Sequence, residues 1–300
     1  KAISDRDPTI SSESNIDSVK PYDHKHPLSL YLINATVSKA NSEITLKWTS
    51  SVSWDVLGYE LYRKDPGGFV TKIFETNDTS IHSFTDTFDL HDSYCYQVMA
   101  FDYCHNSSVP SNPGCIIYLR GTAGNQINNL NWNPYTLWND GLKEYRVYKD
   151  EDSAGYKQIA TLGGTETSFT DQTLTEYVKE HCYKVEAIEN LTPGGYHSNS
   201  MSTVICLNQQ PVIWMPSAFT PVSSYNLNDT FQPGGTWWDH YQMDIFNRWG
   251  EQVFHTDNSH AWDGTFRGKY VEPGVYMYKV IIWGYDNQPH RLEGKFEVVK

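Results

Sequence analysis

Tyr94-Cys-Tyr-Gln-Val-Met-Ala100 and His181-Cys-Tyr-Lys-Val-Glu-Ala187 are two versions of one strand, and their reading decides the fold of most of the chain. Apolar side chains recur at every second position. Tyr96, Val98 and Ala100 therefore share one face, with Cys95, Gln97 and Met99 on the other. Tyr183, Val185 and Ala187 repeat the inward set. Working outward, the same succession surrounds each version. Trp48, Gly58-Tyr-Glu-Leu-Tyr-Arg-Lys64, Phe69 to Ile73 and Ser83-Phe-Thr-Asp86 precede the first, and Ser111-Asn112 and Cys115 follow it. Trp132, Lys143-Glu-Tyr-Arg-Val-Tyr-Lys149, Tyr156 to Ile159 and Ser168-Phe-Thr-Asp171 precede the second, and Ser198-Asn199 and Cys206 follow it. An unchanged order of elements marks an internal repeat. Short alternating stretches broken by Asp65-Pro-Gly-Gly68, Leu162-Gly-Gly164 and Thr192-Pro-Gly-Gly195 are what a sandwich of about seven strands requires. In each copy the Trp is expected between the sheets.

Both copies resemble fibronectin type III domains, over roughly residues 28–119 and 120–208. The order Trp, Tyr-x-x-Tyr-Arg/Lys and Tyr-x-Val-x-Ala carries that resemblance. The fold class expected is therefore all-β: tandem immunoglobulin-like or fibronectin type III-like sandwiches, followed by a C-terminal β-sandwich. Residues 1–27 are rich in Ser, Asp, Pro and Lys without apolar pattern, and read as a linker or the remnant of a preceding domain. His24-Lys25-His26 has no carboxylate-rich partner nearby, so it reads as exposed rather than metal-binding.

From Pro211 the pattern changes. Pro216-Ser-Ala-Phe-Thr-Pro221 and Asn228-Asp-Thr-Phe231 lead to Tyr241-Gln-Met-Asp-Ile-Phe-Asn-Arg-Trp-Gly250, a strand ending in a turn. Glu251-Gln-Val-Phe-His-Thr256 reads as its hairpin partner. Trp262-Asp-Gly-Thr-Phe-Arg-Gly268 is a compact turn whose glycines suit positive φ. Pro273-Gly-Val-Tyr-Met-Tyr-Lys-Val280 and Gly294-Lys-Phe-Glu-Val-Val-Lys300 are alternating strands.

Residues 211–300 resemble the gliding motility-associated C-terminal domain, the type B sorting domain of the type IX secretion system in Bacteroidetes. Phe246, Asn247, Arg248, Trp249 and Gly250 carry the match, with Trp262, Asp263, Gly264, Gly274, Tyr276 and Gly294. One departure is that Val222-Ser-Ser-Tyr-Asn226 stands where the family often has Asn-Gly-Asp-Gly, so a cation-binding role for that loop is not carried over. The resemblance implies export across the outer membrane, then surface retention or release. It also implies two partners, the type IX translocon and an outer-membrane β-barrel protein of the PorP/SprF type. In physical terms, a terminal strand can offer unpaired backbone groups and alternating side chains to a partner. For Arg248 two roles stay open: stacking on Trp249, or pairing with Asp244 or Asp263.

Cys95 and Cys182 lie in equivalent strands, and Cys115 and Cys206 follow each after a loop. That repetition predicts one cross-strand disulfide per sandwich, hence an oxidising compartment, and leaves Cys104 over. No pair has Cys-x-x-Cys spacing, which argues against zinc and thioredoxin chemistry. A net charge of −13 argues against a nucleic-acid partner. No apolar run approaches the roughly 20 residues that span a bilayer. The abrupt opening at Lys1-Ala-Ile-Ser-Asp5 reads as a piece of a longer secreted chain.

No Gly-x-Ser-x-Gly elbow, His-Glu-x-x-His, phosphate loop or dinucleotide fingerprint is present, so neither catalytic residues nor cofactors are expected. Asp150-Glu-Asp-Ser153 lacks the spacing of a calcium loop and reads as a solvated turn. Asp17-Ser-Val19 and Asp152-Ser-Ala154 fit an Asp-Ser/Thr-aliphatic O-glycosylation pattern. The expectation is a non-catalytic surface protein, adhesin or gliding-associated, that meets surface glycans or proteins. The alternative is a set of accessory and sorting modules belonging to a secreted hydrolase or carbohydrate-binding protein. For the latter, Trp138, Trp237 and Trp238 are the aromatics expected to be exposed.

Overall fold

A computed structural model describes residues 2–13, 24–39, 41–88, 90–124, 126–190, 196–222 and 228–299, in which every regular element is a β-strand. Asp17-Ser-Val19, the Thr192-Pro-Gly-Gly195 turn and residues 223–227 of the departing loop lie outside them. In the first repeat, Leu32–Lys39, Glu43–Trp48 and Ser83–Thr87 form one antiparallel sheet. Val70–Thr76, Val56–Lys64, Cys95–Asp102 and Gly114–Cys115 form the facing sheet, in that order. The second repeat has the same division. Leu119–Ala123, Asn128–Trp132 and Ser168–Asp171 face a sheet of Lys157–Gly163, Leu142–Glu151 and His181–Glu189. Asn199–Met201 and Ile205–Leu207 both pair with His181–Glu189. The all-β class read from the alternation is the one found.

Parity governs the interior. Tyr96, Val98 and Ala100 are fully buried, as are Tyr183, Val185 and Ala187. Trp48 meets Tyr59 edge-on at 6.0 Å between ring centroids, and Trp132 meets Tyr145 the same way at 5.4 Å. Such pairs contribute about 0.5–1.5 kcal/mol beyond their buried area. A polar triad is also repeated. Asp86 accepts hydrogen bonds from Arg63 and from the Tyr96 hydroxyl, each at 2.9 Å. Asp171 lies 3.1 Å from Lys149 Nζ and accepts from the Tyr183 hydroxyl at 2.9 Å. Burial alone would raise the Asp171 carboxyl, yet donors from Thr173, Tyr183 and Lys149 hold it below the usual carboxylate range. A buried charge is tolerated only when paired and hydrogen-bonded in this way.

The structure joins Cys95 to Cys115 and Cys182 to Cys206. In each pair the two residues stand directly opposite on neighbouring strands of one sheet. Closing loops of 20 and 24 residues, each bridge restricts the unfolded chain by about 3 kcal/mol in the chain-entropy account. Cys104 is half-buried and unbridged.

The two repeats share one continuous apolar core, through Ile116, Ile117 and Leu119 between them. Asn41 is clipped to Val204 twice: its Nδ2 donates to the carbonyl at 2.7 Å, and its Oδ1 accepts from the amide at 2.6 Å. Ser200 donates to the Ala35 carbonyl at 2.7 Å, and the Met201 amide donates to Thr36 Oγ1 at 2.8 Å. Trp138 donates its indole N–H to the Ile33 carbonyl at 2.9 Å and is buried. Buried polar groups satisfied across a junction fix its geometry.

The C-terminal part has its own core. Its main sheet runs in the order Ala218–Phe219, Pro289–Val298, Gly274–Gly284, Trp238–Phe246, Gln252–Thr256. Ala218–Phe219 is parallel to its neighbour and the other pairings are antiparallel. The second layer consists of short pieces: Val212–Trp214 with Gly234–Thr236, Thr265–Phe266 with Lys269–Tyr270, and a bridge between Phe231 and Trp262. One face of the sheet, carrying Tyr241, Met243, Ile245, Val280, Ile282 and Phe296, is buried beneath Phe219, Phe231 and Trp262. The other face carries Gln242, Lys279, Arg291, Glu293 and Lys295, all exposed. An antiparallel sheet with one wet face shows this alternation.

Candidate recognition site

The motif residues of the C-terminal part divide by what their side chains do. Trp262 is fully buried, with Phe219 at 5.3 Å and Tyr276 at 5.7 Å between ring centroids. Its indole N–H donates to the Thr265 carbonyl at 2.9 Å. Asp263 accepts from both the amide and the hydroxyl of Thr265, closing the turn beneath that indole. Gly264 is buried against Pro221 and Phe219. Tyr276 packs in the core and donates its hydroxyl to the Glu272 carbonyl at 2.9 Å. Gly294 lies under the Tyr278 ring, where a Cβ would come within 2.6 Å of the hydroxyl oxygen. An aromatic covering a glycine in this way pins the strand register.

The Phe246–Gly250 corner is built the same way. Phe246 is half-buried at a register shift in the strand. The Asn247 carboxamide oxygen accepts from the amides of Trp249 and Glu251, both at 3.0 Å, and its Nδ2 donates to Glu251 at 3.1 Å. Gly250 completes the turn at a φ of 84°. Five of the eleven motif residues, Phe246, Asn247, Trp262, Asp263 and Tyr276, thus bond or pack within the fold, and glycines at 250, 264 and 294 serve its backbone.

Arg248 and Trp249 are left over. Trp249 is 80% exposed, although its motif partner Trp262 is 0% exposed. Arg248 lies over the Trp249 ring, its Cζ 5.1 Å from the centroid. Of the two roles open to Arg248, stacking is the one present. Asp244 instead meets His255 and Gln252, and Asp263 is taken by Thr265. Gly274 lies beside the guanidinium, where a Cβ would sit 2.8 Å from Arg248 Nη2, and its φ of 144° is one that side chains rarely adopt. Burial pushes the Tyr276 hydroxyl up, and Arg248 nearby draws it part of the way back.

Beside this tip is a hollow of about 250 Å³, bordered by Trp249, Tyr270, Phe266, Lys269 and Tyr276. Tyr270 is also exposed. An exposed Trp, Tyr and Arg around a hollow is the composition of interface hot spots. The Asn247 hydrogen bonds fix the backbone beneath this tip.

Three aromatics expected at the surface are not there. Trp138 and Trp237 are buried, and Trp238 is half-buried, edge-on to Tyr241 at 5.9 Å. Trp138 is taken up by the junction between repeats, and Trp237 and Trp238 by the entry to the C-terminal sheet. The Asp150–Ser153 loop holds no open carboxylate cage. Asp152 accepts from the amides of Lys179 and Glu180, and Asp150 from the amide of Gly155. His26 is tied to the Ser107 carbonyl at 2.9 Å.

No curated protein matches this chain. Among solved structures, pectate lyase PelI from Erwinia chrysanthemi in complex with tetragalacturonic acid is 17% identical, with a TM-score of 0.26 over 30% of this chain and 28% of that one. Pectate lyase Pel3 from Pectobacterium carotovorum is 22% identical, with a TM-score of 0.25 over 30% of this chain and 26% of that one. The chain thus spans little more than a quarter of either pectate lyase. A segment of two fibronectin type III domains from chicken tenascin is 16% identical, with a TM-score of 0.23 over 61% of this chain and 97% of that one. Residues 213–294 match the family model described as the CHU_C Type IX secretion signal domain, so the chain carries a type IX secretion signal, the mark of a secreted or cell-surface protein.

Proposed function

We propose that the chain is the surface-displayed region of a non-catalytic protein, adhesin or gliding-associated, exported by the type IX machinery. The two joined sandwiches serve as a stiff stalk or adhesive unit. The C-terminal part, read as residues 211–300, serves as sorting domain and anchor. The partner that reads it is an outer-membrane β-barrel protein of the PorP/SprF type, alongside the translocon itself. One observation supports this reading above the others. Within a motif whose remaining residues serve the fold, Arg248 and Trp249 are held at the surface, stacked on each other, and neither side chain makes a hydrogen bond among the described residues.

Deleting residues 211–300 tests the proposal. In a type IX-competent cell, the shortened chain is expected to accumulate in the periplasm with both disulfides formed. Undiminished appearance of the shortened chain outside the cell would overturn it.

A further inference from the structure

The Pro289–Val298 strand lies at the edge of its sheet for most of its length. On one side it pairs with Gly274–Gly284 from end to end. On the other side, Ala218–Phe219 reaches only Glu297 and Val298. The amides of Glu297 and Val299 donate to the Ser217 and Phe219 carbonyls, so odd-numbered residues direct their backbone groups to this outer side. The amide of Gly284 donating to the Gln288 carbonyl fixes even-numbered residues on the inner ladder. It follows that Arg291, Glu293 and Lys295 present their N–H and C=O groups outward, and no strand among the described residues receives them. This open run is roughly 16 Å long at about 3.3 Å per residue.

The three side chains are exposed on the wet face and alternate in sign, and none has an ion pair among the described residues. That alternation selects the occupant. If a second copy paired antiparallel with the whole run, Arg291 would face Lys295 and Glu293 would face its own counterpart. Parallel pairing in register also sets like beside like. Like charges directly opposite are destabilising, so the run rejects itself, a device that edge strands use against aggregation. A strand of the opposite pattern is accepted.

We infer that the sorting domain is captured by strand addition: an extended segment of the partner pairs with Arg291–Lys295, with acidic residues opposite Arg291 and Lys295 and a basic residue opposite Glu293. Main-chain hydrogen bonds supply affinity and the charge ladder supplies register. The inference rests on the proposed sorting role and adds the chemistry of the partner's segment.

Glu293→Pro removes one outward N–H and no bond of the inner ladder, which an edge position tolerates. Export is measured for a reporter fused to residues 211–300, with folding followed by circular dichroism. Glu293→Pro is expected to lower the exported fraction by roughly tenfold or more, the effect of about 1.4 kcal/mol, and Glu293→Gln by no more than about twofold. Inverting the ladder with Arg291→Glu, Glu293→Lys and Lys295→Glu together is expected to match the Pro variant. It decides the matter alone if the Pro variant does not fold. Export of the folded variants at the native level overturns strand addition and leaves the sorting reading standing. Retention of the native fusion overturns both.

Discussion

Trp249→Ala is expected to leave the protein folded and to cut export about thirtyfold or more. The indole is 80% exposed and the turn beneath it is closed by Asn247, whose contacts the substitution does not touch. Surface substitutions of this kind move stability by about 0.5 kcal/mol or less. Truncating a hot-spot Trp in an interface costs about 2 kcal/mol or more, which is the thirtyfold figure. Arg248→Ala is expected to act in the same direction and more weakly, because it removes the group that stacks on the ring. The exported fraction of the chain, set beside its melting temperature, checks both. A fall in export without a fall in melting temperature is the signature of a recognition residue.

The same substitution thirteen residues later has the opposite character. Trp262→Ala is expected to destabilise the C-terminal part by about 3–5 kcal/mol, the cost of emptying a fully buried aromatic site. Phe219, Phe254, Tyr276 and Phe296 all lie against this ring and would line the cavity. A unit of this size has a stability on the order of 5–10 kcal/mol, so about a third or more of it is lost. Because the C-terminal core is separate from that of the two sandwiches, the loss is expected in its own melting transition. Calorimetry showing a single transition that shifts as a whole would contradict the separation of cores.

Much of this was legible in the residues. Period-two alternation placed Tyr96, Val98 and Ala100 inside and Gln97 outside, because strand geometry leaves a side chain only two directions. The repeat had already set Arg63 with Asp86, and Lys149 with Asp171, at matching places. A cation and an acid recurring at equivalent positions of two buried strands was the available signal for the triads. Tryptophan placement was not legible. Trp138, Trp237 and Trp249 all sit outside strands, where no periodicity assigns a face. Which of them is covered depends on a distant segment arriving, as Ile33 does over Trp138. The clip between Asn41 and Val204 escapes the sequence for the same reason, since it spans the two repeats. Division of the motif into fold-serving and exposed residues needed coordinates too. Arg248 and Gly274 are 26 positions apart, and neither their proximity nor the φ of 144° at Gly274 shows in the residue order.

The claim on which the account turns is that the last ninety residues fold by themselves and suffice as an address. Its most direct measurement is the fraction of a fluorescent reporter found outside the cell when residues 211–300 are attached to it, in a type IX-competent strain and in one lacking the translocon. Export is expected in the first strain and none in the second. Retention in both, or equal release from both, would contradict it.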